Sequence, residues 1–220
     1  MNFRALIFDM DGTLVDNMRV HNEAWGVWHR RNGLAFDEAT FFARTAGRHN
    51  PEIIAALLAD RSEAEVVTLG EEKEAIYREL YAPRVEALPG LFDLLDAADA
   101  YGLPMAVATA APPANIAIVL DRIDLRARFA TIVAPSQGFR GKPHPDLFLA
   151  AAERMQVRPA DCLVFEDAPL GVEAACRAGM QAVAITTMLS PLDFTSYENV
   201  VAYIDDFTQF DRALIGGSGQ

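Results

Sequence analysis

The segment Leu6–Thr13, with the sequence LIFDMDGT, carries the residues best suited to chemistry. A short apolar run ends there in two aspartates, Asp9 and Asp11, followed by Gly-Thr. If the run is a strand, its period of two places both carboxylates on one side of the backbone, at the carboxyl end where open α/β sheets bind ligands. Because two close carboxylates repel, the pair needs a bound cation, a shared proton or a nearby lysine.

Three further polar signals fall where such a sheet would present its strand ends. They are Thr109, Lys142 in the segment GKPHPD, and the acidic doublet Glu166-Asp167. A hydroxyl and an aimed ammonium can bind phosphoryl oxygens, and an acidic doublet suits Mg²⁺. Taken singly, each has an ordinary reading: a strand-end threonine, a surface lysine in a turn, and a charge pair at a helix N-terminus. Their occurrence together, each at the end of a predicted strand, favours a single site.

The elements that must position these residues alternate along most of the chain. Short apolar runs predict strands at Ala5–Phe8, Met105–Ala108, Thr131–Val133, Cys162–Phe165 and Ala182–Ile185. Helical patterns follow at Leu91–Ala100, Asn115–Arg122, Asp146–Met155 and Gly171–Ala178. This alternation predicts an α/β fold with a Rossmann-like, mostly parallel sheet covered on both faces.

Residues 17–83 interrupt that alternation with helical patterns alone. Apolar residues recur at three- and four-residue spacing in Met18–Arg31, Pro51–Ala59 and Glu63–Tyr81. We therefore predict a core of residues 1–16 and 84–220, with residues 17–83 inserted as a small all-helical cap. The alternative is that these helices belong to one continuous fold.

The ordered set of carboxylate pair, hydroxyl, lysine and acidic doublet resembles the haloacid dehalogenase-like superfamily, in its β-phosphoglucomutase-like branch. The motifs FDMDGTLVDN, GKPHPD and VFEDAPLGVEAACRAGM carry the resemblance. It implies that Asp9 is a nucleophile forming an aspartyl-phosphate and that Asp11 is the general acid/base. It further implies that Thr13 positions Asp11, and that Thr109 and Lys142 clamp the phosphoryl group.

The same resemblance implies a Mg²⁺ cofactor. Its ligands would be Asp9, the backbone carbonyl of Asp11, Glu166 and Asp167. In that arrangement Mg²⁺ and Lys142 keep Asp9 ionised, while the Asp11 side chain, which is not a metal ligand, can carry a proton.

Substrate selection is expected in the cap and in the turn after Thr109. The candidate substrate-binding residues, with Thr13, are His21, Trp25, Arg48, His49, Asn50, Lys73, Ala110 and Asn115. Sugar-phosphate mutases of this branch carry Lys-Gly and a later Arg where this chain reads AGRHN at 46–50. They also have a serine and a lysine where it reads AAPP at 110–113. These losses favour hydrolysis, although Arg48, His49, Asn50 and Lys73 offer another phosphate grip and keep the mutase as an alternative.

The predicted function is thus a Mg²⁺-dependent phosphatase of a small phosphorylated metabolite, a sugar or polyol phosphate. The alternatives are a β-phosphoglucomutase-type mutase and, in another class, a noncatalytic phosphate-binding or regulatory module. A decayed enzyme would usually have lost one of Asp9, Asp11, Lys142 or Asp167, and all four are present.

The composition of the chain indicates which partners and which cellular compartment to expect. A net charge of −12 argues against nonspecific nucleic-acid binding. No apolar run approaches the roughly 18 residues of a membrane span, and the two cysteines are expected as buried thiols in a reducing compartment. We therefore expect a cytoplasmic protein with no membrane or nucleic-acid partner, as a monomer or small homo-oligomer.

Overall fold

The computed structural model describes residues 3–45 and 50–216. The chain forms two compact units. The α/β unit comprises Met1–Asp16 and Glu86–Gln220, and the helical unit comprises Asn17–Val85. That the helical unit serves as a cap stays a prediction.

A six-stranded sheet forms the centre of the α/β unit. All neighbouring strands are parallel, in the order β3-β2-β1-β4-β5-β6. The strands are β1 (Ala5–Phe8), β2 (Met105–Ala108), β3 (Thr131–Val133), β4 (Cys162–Glu166), β5 (Gln181–Ile185) and β6 (Val200–Ile204). This sheet, with helices in the connections, confirms the predicted α/β, Rossmann-like class.

The central strand β1 determines where the candidate site lies. All four of its residues are buried, as expected of a strand that is paired and covered on both sides. Phe8 is in register with Val107 on β2 and with Phe165 on β4. The ladder continues one residue further, because the Asp9 amide donates to the Phe165 carbonyl at 2.9 Å. Residues at the carboxyl ends of β1 and β4 therefore emerge side by side.

Helices and aromatic side chains cover the two faces of the sheet. The helices of this unit are α5 (Leu91–Ala100), α6 (Pro113–Arg122), α7 (Asp146–Met155) and α8 (Pro169–Arg177). α7 and α8 pack on the sheet face that carries Ala5 and Ile7. On β1, Phe8 points to the opposite face, since side chains alternate along a strand. Its ring stacks on Phe165 with centroids 4.8 Å apart.

The helical unit contains four helices. They are α1 (Met18–Arg31), α2 (Glu38–Thr45), α3 (Asn50–Leu57) and α4 (Glu63–Tyr81). α4 begins at a capping box, in which Ser62 and Glu65 satisfy each other's backbone amides. α1 packs along α4, and the Trp28 indole donates to the Leu69 carbonyl at 3.1 Å.

Two elements were not predicted from the sequence. β6 is an edge strand whose residues alternate between half-buried and exposed until Ile204, so it lacks a continuous apolar run. α2 is short, and its first residues Glu38–Thr40 are exposed. The expectation of two buried thiols was wrong for one of them: Cys162 is buried, but Cys176 is exposed on the outer side of α8, and both are free. Within the described ranges, no helix is both long and apolar enough to cross a bilayer.

Candidate active site

The turn after β1 separates the environments of the two aspartates. Asp9 is 6% exposed, whereas Asp11 is only partly buried. Gly12 adopts φ +78°, a left-handed conformation that glycine tolerates best. The Leu14 amide donates to the Met10 carbonyl at 2.9 Å, which closes the turn. The Thr187 hydroxyl donates to the Gly12 carbonyl at 3.0 Å and ties the turn to the segment after β5.

Lys142 joins the ends of β1 and β4. Its Nζ lies 2.5 Å from Asp9 Oδ1 and 2.6 Å from Glu166 Oε1. The lysine side chain is 9% exposed, and its ammonium lies 5.2 Å from the centre of the Phe148 ring on α7. The loop before α7 therefore aims a positive charge into the site.

Burial and hydrogen bonds fix the position of the Glu166 side chain. It is 1% exposed, and its Oε2 accepts the Ala168 amide at 2.7 Å. A Cβ placed on Gly171 would lie 1.7 Å from Glu166 Oε1. The glycine in the first turn of α8 thus makes room for the carboxylate.

Asp9, Glu166 and Asp167 can together accept a cation. Each offers a buried carboxylate oxygen, and these oxygens lie within 4.8 Å of one another. The Asp167 carboxylate lies against Gly12, where an added Cβ would approach its Oδ2 to 2.1 Å. One lysine cannot neutralise three buried carboxylates, and oxygen donors of this kind suit Mg²⁺. These residues therefore fit a divalent cation, although both oxygens of Glu166 already accept hydrogen bonds.

The pKa values of these groups reflect the same excess of negative charge. Burial raises the pKa of Asp9 to about 7; Lys142 opposes the shift, and Glu166 and Asp11 add to it. Burial and the neighbouring Glu166 and Asp9 likewise raise the pKa of Asp167 well above its ordinary value. Burial alone would lower the pKa of Lys142, but the facing carboxylates of Asp9 and Glu166 raise it above normal, so the ammonium stays charged.

The remaining candidates in the α/β unit have varied surroundings. Thr109 is buried at the end of β2, and its Oγ1 accepts the Ala111 amide at 3.0 Å. Asn115 is fully buried on α6, whereas Ala110 is exposed. The hydroxyl of Thr13 is buried and forms no hydrogen bond with any residue that the structure describes. Its expected role in positioning Asp11 therefore stays a prediction.

In the helical unit, the structure brings His21, Trp25 and Lys73 together. Lys73 Nζ lies 2.8 Å from His21 Nδ1 and 5.3 Å from the centre of the Trp25 ring system. Asn50 joins the same group through Glu74. The other two candidates, Arg48 and His49, lie outside the described residues.

Sequence reasoning missed Glu74, Tyr77 and Gly171. The Tyr77 ring stacks on His21 with centroids 3.8 Å apart. A signal for the first two was present, because Gly70, Lys73, Glu74, Tyr77 and Tyr81 recur at three- and four-residue spacing and form the buried side of α4. Charged residues on such a face indicate a buried polar group. No comparable sequence signal pointed to Gly171.

The chain matches known proteins over most of its length. The family model for haloacid dehalogenase-like hydrolases matches residues 3–179. Fructose-1-phosphate phosphatase YqaB of Escherichia coli is 36% identical over 83% of this chain and 96% of its own. Hexitol phosphatase A of the same organism is 34% identical over 84% of each chain. Beta-phosphoglucomutase of Bacillus subtilis is 30% identical over 83% of each chain.

The fold has a similarly extensive match among solved structures. A family IA, variant 3 HAD hydrolase from Entamoeba histolytica superimposes with a TM-score of 0.89, at 25% identity over 97% of both chains. The family model covers more than half of the chain, and the matched region contains Asp9, Lys142, Glu166 and Asp167. The protein is therefore an enzyme of the haloacid dehalogenase-like hydrolase family.

Proposed function

We propose that this enzyme is a Mg²⁺-dependent phosphatase of a small sugar or polyol phosphate, working through an aspartyl-phosphate on Asp9. The observation that carries the proposal is the position of Lys142, 2.5 Å from Asp9 and 2.6 Å from Glu166, beside the third carboxylate Asp167. A carboxylate nucleophile needs a partner that keeps it ionised and offsets charge on the transferring group. Lys142 contributes to both needs: it opposes the rise that burial causes in the pKa of Asp9, and its ammonium can offset phosphoryl charge.

In the first half-reaction, an oxygen of Asp9 attacks the phosphorus and the bond to the substrate oxygen breaks. Asp11 donates a proton to that leaving oxygen, a role suited to a carboxyl less buried than Asp9. Lys142 and the Thr109 hydroxyl bind the phosphoryl oxygens. A bound Mg²⁺, held by Asp9, Glu166, Asp167 and the backbone carbonyl of Asp11, would offset phosphate charge.

In the second half-reaction, Asp11 takes a proton from water as the water attacks the phosphorus of the aspartyl-phosphate. Phosphate leaves and Asp9 returns as a carboxylate. Lys142 stays protonated throughout, which its raised pKa supports. The proposed cap role of the helical unit adds exclusion of bulk water during these steps.

Hydrolysis is preferred to isomerisation because of the residues after Thr109 and in the helical unit. A mutase must bind phosphate at either end of a bisphosphate, yet Ala110 and Ala111 have no group that could do so. Relatives named as fructose-1-phosphate and hexitol phosphatases support a sugar or polyol substrate. The relative named as a phosphoglucomutase keeps isomerisation as the second candidate.

The proposal extends to the compartment, the partners and the oligomeric state of the enzyme. It acts on a small phosphorylated metabolite in the cytoplasm, as a monomer or small homo-oligomer, without nucleic acid.

The test is a phosphate-release screen over a panel of sugar and polyol phosphates, with Mg²⁺ and with EDTA. Isomerised product is measured in the same reactions by chromatography. We expect Mg²⁺-dependent phosphate release that exceeds isomerisation for every substrate that reacts. Isomerisation faster than release would replace the phosphatase with the mutase, and equal release in EDTA would remove the metal from the proposal.

A further inference from the structure

A buried carboxylate links the polar side chains of the helical unit. Glu74 is 7% exposed, and its Oε1 accepts the Lys73 ammonium at 2.9 Å and the Asn50 amide at 2.5 Å. These two residues come from different helices, α4 and the first turn of α3. One oxygen of Glu74 thus holds two of the side chains predicted to contact substrate.

Lys73 depends on such a partner. It is 2% exposed, and an ammonium withdrawn from water to that extent is costly unless it is paired. The surrounding groups define one position for it: His21 Nδ1 at 2.8 Å, and the rings of Trp25 and Tyr77 at 5.3 and 5.8 Å. The aromatic faces favour the cation but cannot neutralise it, and Glu74 contributes a negative charge at 2.9 Å.

We infer that Glu74 is a positioning residue for substrate recognition, which holds Lys73 and Asn50 in place without itself contacting the substrate. The inference rests on the proposed function. It also bears on what Lys73 can do. The charge of its ammonium is offset by Glu74, whereas the carboxylate partners of Lys142 would also be shared with a bound Mg²⁺. Lys73 is therefore a weaker grip for a second phosphate than Lys142 is for the first, and it can donate a hydrogen bond to an uncharged hydroxyl. A polyol or sugar monophosphate fits that chemistry better than a bisphosphate.

The experiment compares Glu74→Gln with Glu79→Gln. Both variants remove one negative charge from α4, but Glu79 is exposed. With the best sugar phosphate from the screen, we expect Glu74→Gln to raise KM about tenfold or more and to change kcat less, because hydrogen bonds to charged groups are stronger than those between neutral groups. Glu79→Gln should leave both constants at the wild-type values.

A double-mutant cycle with Lys73→Met tests whether Glu74 acts through the lysine. In the Lys73→Met background, Glu74→Gln should raise KM by less than about threefold. A residue that only stabilises the fold would act equally in both backgrounds. Thermal unfolding of each variant shows which proteins are folded at the assay temperature.

Tryptophan fluorescence gives a readout that needs no turnover. The chain has two tryptophans, Trp25 and Trp28, and both lie on α1. Because the Lys73 ammonium lies over Trp25, we expect Glu74→Gln to shift the emission spectrum of the folded protein and Glu79→Gln to leave it unchanged. An unchanged spectrum overturns the inference even if the phosphate-release screen fails. A shifted spectrum with unchanged KM also overturns it, and leaves Glu74 as a structural residue.

Discussion

Gly171 on α8 lies directly against the Glu166 carboxylate, so closely that a Cβ at position 171 would stand 1.7 Å from Oε1. The missing side chain of Gly171 leaves room for this buried carboxylate, which in turn holds Lys142 at 2.6 Å. A residue that takes no part in the chemistry thereby controls the direction of the site's ammonium.

Gly171→Ala should therefore lower kcat/KM by about 100-fold or more, a loss typical of removing one preorganised electrostatic group. The physical reason is displacement of Glu166, which releases Lys142 from its position beside Asp9. Steady-state phosphate release measures the effect. The matched control is Gly70→Ala on α4, where a new Cβ would meet its nearest neighbour at an ordinary 3.7 Å. That variant should keep its activity and gain a little stability; wild-type activity in Gly171→Ala would contradict the assigned role.

Asp9→Asn should abolish turnover while preserving the fold. The amide oxygen can still accept a hydrogen bond from Lys142, but it cannot form the phosphoenzyme, so kcat should fall by about 10⁴-fold or more. Mass spectrometry after mixing with substrate should find no phosphorylated protein. Asp16→Asn, a change at an exposed aspartate seven residues away, is the control. A near wild-type rate in Asp9→Asn would show that another residue is the nucleophile.

Asp11→Asn should slow catalysis by about 10²- to 10⁴-fold, the usual contribution of a general acid/base. Its metal affinity should stay within about threefold of wild type. In the described part of the chain, the carboxylates close enough to share a metal ion are those of Asp9, Glu166 and Asp167, and the Asp11 carboxylate is not one of them. Isothermal titration with Mg²⁺ measures this directly. Asp167→Ala is the comparison and should bind Mg²⁺ far more weakly. Equal losses of affinity in the two variants would make the Asp11 side chain a ligand.

Mg²⁺ should stabilise the protein more at pH 8 than at pH 5.5. Without metal, the pKa of Asp9 is about 7, raised from 3.8 chiefly by burial. Between pH 3.8 and about pH 7, Asp9 therefore binds more protons in the folded protein than in the unfolded chain. Its contribution to the free energy of unfolding is present at low pH and is lost as pH rises through about 7. At pH 8 Mg²⁺ binds without proton competition, whereas at pH 5.5 it must displace the proton.

The measurement is the rise in the midpoint temperature of thermal unfolding that saturating Mg²⁺ causes at each pH. Asp9→Asn should show a smaller difference between the two conditions, because it has no proton to lose at this position. An equal rise at pH 5.5 and pH 8 in the wild-type enzyme would argue against a metal bound by Asp9.

Acid should destabilise the helical unit through His29. This side chain is 1% exposed among aromatic rings, and burial lowers the pKa of its imidazole below the ordinary 6.5. A lowered folded-state pKa means that the stabilising contribution is present above pH 6.5 and is lost as pH falls through the folded value. Urea unfolding followed by tryptophan emission reports on this unit. His29→Gln should reduce the loss between pH 7 and pH 5, while His144→Gln, at an exposed histidine, should not.

Much of the α/β unit could be predicted because the buried strands of a parallel sheet have continuous apolar sequences. The runs at Ala5–Phe8 and Met105–Ala108 coincide with β1 and β2. β6 escaped prediction because an edge strand needs apolar residues on one face only, and Val201 and Tyr203 are exposed. Likewise, the sequence around Gly171 gave no signal, because Glu166, whose carboxylate needs the space left by the absent side chain, lies on another element, β4.

The sequence by itself determined the chemical inventory. Two aspartates, a threonine and an acidic doublet follow apolar runs that predict strands whose carboxyl ends share one edge, and Lys142 stands in a turn before a predicted helix. The tertiary structure decided which of these groups meet. Lys142 binds Asp9 across 133 residues of chain, and strand register brings Glu166 beside both. It also decided that Glu74, one helical charge among many in the sequence, is buried against Lys73 and Asn50. Distances between residues far apart in the chain depend on register and packing, and no local pattern encodes them.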